Sequence, residues 1–201
     1  MRLRVFKWVL EKLAGVDKRR GMPAFGRGSF LRVGQKYLAA CEPIEKPVDR
    51  AAYFVDTYAN FNDHELGFAV VDVLRHNDIE VILPRQLPAP LPAIVYGDVK
   101  LARKDLAYSI KYLAEAVREG YKIICSEPSA ALCLREELRR YVSGEDAKLV
   151  AENTYELMSY LLELQEQGKL KPTVNTISEE FTYHLPCHLC AVGDEGASIK
   201  L

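Results

Sequence analysis

The stretch AAYFVDTYANFNDHELGFAVVDVLRHNDIEVILP, residues 51–84, changes its hydrophobic period twice. AAYFVDTY is a short apolar run and reads as a strand. NDHELGFAVVDVLRHN then puts Leu66, Val70, Val73 and Leu74 on one face of a helix, with Asn62 or Asp63 as the N-cap and a stop near Asn77. EVILP returns to a strand and is closed by Pro84. A strand, a helix and a strand within 34 residues is the unit that builds a parallel sheet.

The same alternation continues toward the C-terminus. RQLPAPLPAIVYG carries Pro88, Pro90 and Pro92 and is expected to be neither helix nor central strand. A helix over 98–119 points Leu106, Ile110, Leu113 and Val117 inward and stops at Gly120. YKIICS is the third strand. Pro128 opens a helix through Arg140, at a position where proline is tolerated. A single helix is expected over 147–167, with Val150, Leu157, Leu161 and Leu164 on one stripe. The polar connector GKLKPTVNTISEE leads to FTYHL, expected as the fourth strand, before Pro186.

Toward the N-terminus the pattern differs. Residues 3–16 read as an amphipathic helix with Val5, Trp8, Val9 and Leu13 on one side and Lys7, Glu11 and Lys12 on the other. Two connectors, DKRRGMPAFGRGSF and CEPIEKPVDR, follow before residue 51. The expected architecture is an α/β fold, a short parallel sheet with helices on both faces, preceded by an amphipathic N-terminal helix and linker. It divides into residues 1–50, a module over 51–180, and a further segment over 181–201. Right-handed crossovers bring the loops at 56–62, 85–97, 126–130 and 187–190 to the C-terminal edge of the sheet, where ligands of such folds bind.

Charge is distributed unevenly. Residues 1–36 hold ten Lys or Arg and two acids, a net of +8 in a chain whose total is −1, which leaves −9 on the rest. An acidic body argues against nucleic acid as a main ligand, and the basic arm suits anionic headgroups, an acidic partner or the body itself. No apolar window reaches the roughly 18 to 20 residues of a membrane-spanning helix. The N-terminus lacks the uninterrupted apolar segment of a secretory leader, since Lys7, Glu11 and Lys12 break it.

Five cysteines, an odd number, without such a leader indicate a reducing, cytoplasmic setting. Cys125 in YKIIC and Cys133 in AALCL read as small buried hydrophobes. Cys187 and Cys190 form Cys-His-Leu-Cys, a spacing suited to metal or redox chemistry. His184 and His188 bracket Cys187, and a zinc site of one His with Cys187 and Cys190 lacks a fourth ligand. His64 and His76 read as solvated, and no nucleophile and base pair is visible, so no catalytic residue is named.

The loop sequences supply more. FVDTYANFNDHELG, LPAPLPAIVYGD, Ala102-Arg103, ICSEPSAALCLREE and YHLPCHL resemble, in order and spacing, the cysteine-rich "CCG" module. That module occurs in heterodisulfide reductase, in the iron–sulfur subunits of anaerobic glycerol-3-phosphate dehydrogenase and glycolate oxidase, and in FAD-linked oxidases. The resemblance runs over residues 50–193. It implies a [4Fe–4S] cluster held by thiolates, with FAD on a partner domain or subunit, and a flavoprotein or ferredoxin-like subunit as partner. It also implies a place in the cytoplasm, with the basic N-terminus available to the inner face of a membrane.

Carried over position by position, the module's thiols are missing. Its first cysteine falls on Thr57, with the following Asn kept as Asn60. Its cysteine pair and glycine fall on Pro88, Ala89 and Pro90, with Pro92, Gly97 and Asp98 matching downstream. A CxxC of some members falls on Glu127 and Ala130. Cys187, beside His188, matches the opening of a second module, Cys190 is an additional thiol, and the rest of that module is expected to be missing. The resemblance therefore implies an accessory or electron-transfer part of a flavin and iron–sulfur dehydrogenase complex whose first module is degenerate. The alternative is a cluster-free interaction domain. A third reading is a small-molecule site built from Asp56, Asn60, Tyr96 and Glu127.

Overall fold

A computed structural model describes residues 4–21, 23–172 and 178–201. Residues 173–177 of the polar connector, and residues 1–3 and 22 of the basic arm, lie outside the described residues. The elements in chain order are α1 (Arg4–Ala14), α2 (Phe30–Ala40), β1 (Asp49–Phe54), α3 (Thr57–Phe61), α4 (His64–His76), β2 (Ile79–Ile82), α5 (Leu91–Val95) and α6 (Val99–Arg118). They continue with β3 (Lys122–Cys125), α7 (Pro128–Leu132), a π-helical turn (Cys133–Glu137), α8 (Leu138–Tyr141), α9 (Glu145–Glu152), β4 (Thr154–Glu156), α10 (Leu157–Glu166), α11 (Cys187–Val192) and α12 (Ala197–Lys200).

The four strands form one all-parallel sheet in the order β2-β1-β3-β4. The α/β class read from the sequence is the observed one. From β1 the chain crosses one way to β2 and the other way to β3, so the strand order reverses between β1 and β3. At such a point the two crossovers diverge and leave a crevice at the strands' C-terminal ends.

Side chains alternate across the sheet as the pleat requires. Phe54, Ile123 and Cys125 face a core completed by Leu106, Ile110 and Leu113 of α6, Ala130 and Ala131 of α7, and Val150 of α9. Ala51, Tyr53, Val55 and Ile124 face the opposite core, with Phe30 of α2, Val70 and Leu74 of α4, and Tyr160 and Leu164 of α10. Both faces are covered, which is why the strands lack a polar side and read as near-continuous apolar runs. Caps fix the long helices: Asp63 accepts from the Leu66 amide and Asp98 from the Leu101 amide. Gly120, at φ 91°, takes the left-handed turn that ends α6.

Several local expectations are corrected. The helix expected over 147–167 is two helices with β4 between them. Asn153 and Thr154 turn their side chains back onto the carbonyls of Leu149 and Val150, at 2.8 and 2.7 Å. Glu156 then accepts from the amides of Met158 and Ser159 and so starts α10. Freed from the helix, Thr154 to Glu156 pair with Ile123 to Cys125. The fourth strand is thus TYE, not FTYHL: residues 181–185 are exposed and join no ladder. The proline loop is not wholly irregular either, because Pro92 sits in the first turn of α5, where its missing N–H costs nothing.

Helix α2 had no clear signal in the sequence, yet Phe30 is completely buried against Tyr53 and Phe68. His64 is not solvated: its ring lies 6.0 Å from that of Phe30, and its Nε2 is 3.1 Å from the Asn60 carbonyl. His76 is exposed as expected. The C-terminal segment is better packed than its lack of periodicity suggests, since Leu189, Val192 and Ala197 are buried.

Candidate functional site

Several positions singled out by the resemblance lie on the loops that border the crevice between β1 and β3. Asp56 and Thr57 follow the end of β1, and Ser126 and Glu127 follow the end of β3. The loop after β2 is drawn in by two devices. The Ala89 amide donates to Asp56 Oδ1 at 2.9 Å. Gln86 clamps Val55 from both sides, its Oε1 accepting from the Val55 amide at 3.1 Å and its Nε2 donating to the Val55 carbonyl at 2.7 Å. Ala130, at no exposure, lies in the first turn after Glu127.

The loop after β1 is held from the other side. Glu127 Oε1 accepts from the Ala59 amide at 3.1 Å. Asn60 Oδ1 accepts from the Leu31 amide at 3.1 Å and so ties α3 to α2. The basic arm reaches the same place, since the Gly26 amide donates to the Phe61 carbonyl and Asn62 donates to the Ala24 carbonyl. Tyr53, at the base of the crevice, shares a 2.8 Å hydrogen bond with Ser126.

The electrostatics follow from two carboxylates held near one another in a poorly solvated place. Burial raises the Asp56 carboxyl above its ordinary range, opposed by the amides of Ala89 and Thr57. Burial, and then the negative charge of Asp56, push Glu127 up to about 7. Burial also raises Cys125, well above a normal thiol, and Cys133, up to about 12, so neither is a thiolate at neutral pH.

Cys187 and Cys190 lie on α11, which packs on α7 beside the crevice. His188 Nδ1 and Ser129 Oγ share a 2.8 Å hydrogen bond, and Arg135 pairs with Asp194 at 2.7 Å. Both cysteines are exposed. His184 is exposed as well, and Tyr96 is almost fully exposed at the end of α5, so neither joins the crevice.

The crevice does not fit an iron–sulfur cluster. Pro88 and Ala89 offer no donor, Ala130 is a buried methyl, and the Thr57 hydroxyl is a poor partner for iron beside a thiolate. The two carboxylates there are already engaged with backbone amides. Among the described residues no group of three or more His, Cys, Asp or Glu is arranged to hold a metal ion. Of the Asp56, Asn60, Tyr96 and Glu127 of the small-molecule reading, Asp56, Asn60 and Glu127 lie on neighbouring loops and Tyr96 stands apart, and the polar atoms of the three accept from backbone amides and close the loops onto one another. Sequence reasoning missed Gln86, Ser129 and the pair of Arg135 with Asp194. A lone glutamine between prolines was the only signal any of them gave.

No family model matches the chain, and no solved structure matches it. Among described residues, no helix is long and apolar enough to cross a membrane. Curated proteins are similar over nearly all of the chain, among them the following two. One is a subunit of the anaerobic glycerol-3-phosphate dehydrogenase of Escherichia coli (strain K12), 26% identical over 193 residues, which cover 95% of this chain and 48% of that protein. The other is a subunit of the fumarate reductase (CoM/CoB) of Methanothermobacter marburgensis, 24% identical over 184 residues, which cover 90% of this chain and 32% of that protein. The chain spans about half the length of the first and about a third of the second. The chain is therefore similar to one subunit of a dehydrogenase and one subunit of a reductase.

Proposed function

We propose that the chain is an accessory part of a flavin and iron–sulfur dehydrogenase complex, of the hydroxy-acid or glycerol-3-phosphate type, and that its α/β module holds partner subunits rather than a cluster. The observation that carries this reading is the crevice itself. Thr57, Ala89 and Ala130, where the resemblance would put thiols, lie on the loops that border it, and Asp56 and Glu127 fasten those loops by accepting from the Ala89 and Ala59 amides. A module whose loops are closed by its own carboxylates keeps its shape without a metal. The flavin and any cluster belong on a flavoprotein or ferredoxin-like partner. In this reading residues 51–180 are the docking module, and residues 1–50 are an appended basic arm that faces anionic headgroups on the inner face of the membrane.

The test is isolation of the tagged full chain, under anaerobic conditions, from the cell that carries its gene. Stoichiometric flavin and iron, both on an identified partner subunit, are expected. Iron bound by this chain, or a chain recovered alone without flavin, would overturn the proposal, the second result in favour of a free-standing interaction domain.

A further inference from the structure

We propose that Cys187 and Cys190 form a reversible dithiol–disulfide pair, a redox site that exchanges two electrons with the disulfide of a partner molecule. Of the five cysteines, only these two are exposed. Cys41 is half-buried, and Cys125 and Cys133 are sealed in the core. Their spacing places both on one side of α11, while Leu189 and Val192 on the opposite side are buried. Side chains three apart on a helix have Cβ atoms about 5–6 Å apart, and a disulfide brings them to about 3.5–4.5 Å. The movement required is therefore about 1–2 Å, at the first turn of a helix only six residues long.

The helix is also anchored. His188 is held by Ser129, and Asp194, just past its end, is held by Arg135. The thiols thus stand outward on a fixed support. A metal would compete for them, but no third ligand stands close enough to complete a site among the described residues.

The exchange balances as follows. One of the two thiols, as thiolate, attacks a sulfur of the partner disulfide, forming a mixed disulfide and expelling one partner thiolate. The second thiolate attacks the chain's own sulfur in that mixed disulfide, forming the bond between Cys187 and Cys190 and releasing the second partner thiolate. The chain gives up two electrons and two thiol protons, and the partner disulfide ends as two thiols. The reverse reaction reduces the chain.

This inference does not depend on the complex proposed above, because the full chain alone decides it. The reduced chain would be equilibrated anaerobically against mixtures of oxidised and reduced glutathione, quenched with acid, alkylated and mapped by mass. The expected result is a single two-electron transition that yields a cross-link between Cys187 and Cys190, while Cys125 and Cys133 stay unlabelled until the chain is unfolded. In Cys187→Ser and Cys190→Ser, the glutathione adduct should persist at least tenfold longer. Adducts on the wild-type chain that never resolve, cross-links only between chains, or one zinc per chain shielding both thiols would each overturn the inference. The wild-type map decides the matter even if a serine variant misfolds.

Discussion

The amide of Ala89 donates to Asp56 Oδ1 across 2.9 Å, joining the loop after β2 to the end of β1 through a carboxylate that is 4% exposed. A chain with cysteines at these positions could use a metal to join the same loops. Asp56→Ala leaves the buried Ala89 amide unpaired and is expected to lower stability by about 1–3 kcal/mol. Asp56→Asn keeps an acceptor oxygen and should cost less. Urea titrations of the two variants at one pH give the comparison, and equal losses would show that the hydrogen bond is not what matters.

Glu127 is lifted to about 7 from an ordinary 4.5 by burial and by Asp56. Because the folded-state value is raised, its contribution is fully present below pH 4.5 and is lost as the pH rises through 7. Glu127→Gln keeps an oxygen for the Ala59 amide and removes the charge. It should flatten the stability profile in that window. At pH 8 it should be the more stable chain by on the order of 1 kcal/mol, after allowing for solvent near a half-buried carboxyl. In Asp56→Asn the carboxyl of Glu127 should titrate closer to its ordinary value, which carbon-detected NMR reads directly.

Phe30 seats α2 against the body, and its ring lies where a Cβ on Gly67 would fall, at 2.7 Å. Phe30→Ala is expected to cost about 3–5 kcal/mol. Gly67→Ala gains about 1 kcal/mol of helix propensity but should be destabilising overall, because overpacking a locked ring costs about 1–3 kcal/mol. In the double variant the clash is gone, so the second change should be neutral or favourable. Additive losses in that cycle would mean that the cost of the added methyl does not come from the Phe30 ring.

Reconstitution of the full chain with iron and sulfide, without oxygen, should leave no stoichiometric cluster, judged by iron and sulfide content and by thiolate-to-iron absorbance. Close to four irons per chain would show that Cys187 and Cys190 find further ligands that the crevice does not suggest.

Residues 51–84 were enough to declare a parallel α/β sheet, because burial on both faces writes itself into sequence as apolar runs separated by an amphipathic helix. Helix α6, with its apolar stripe and Gly120 stop, was equally legible, since each signal acts within a turn or two of where it is written. That Thr57, Pro88, Ala89 and Ala130 offer no thiolate could also be read directly, as the chemistry of a donor is a property of the residue alone. Strand β4 could not. Val150, Leu157, Leu161 and Leu164 keep one stripe through 147–167, and only the open edge of β3 makes it better for Thr154 to Glu156 to leave the helix and pair. The burial of Phe30, the clamp of Gln86 on Val55 and the opposition of Asp56 to Glu127 were likewise decided in the folded chain. Each joins residues more than 20 positions apart, and the stabilisation comes from a neighbour that local periodicity does not encode.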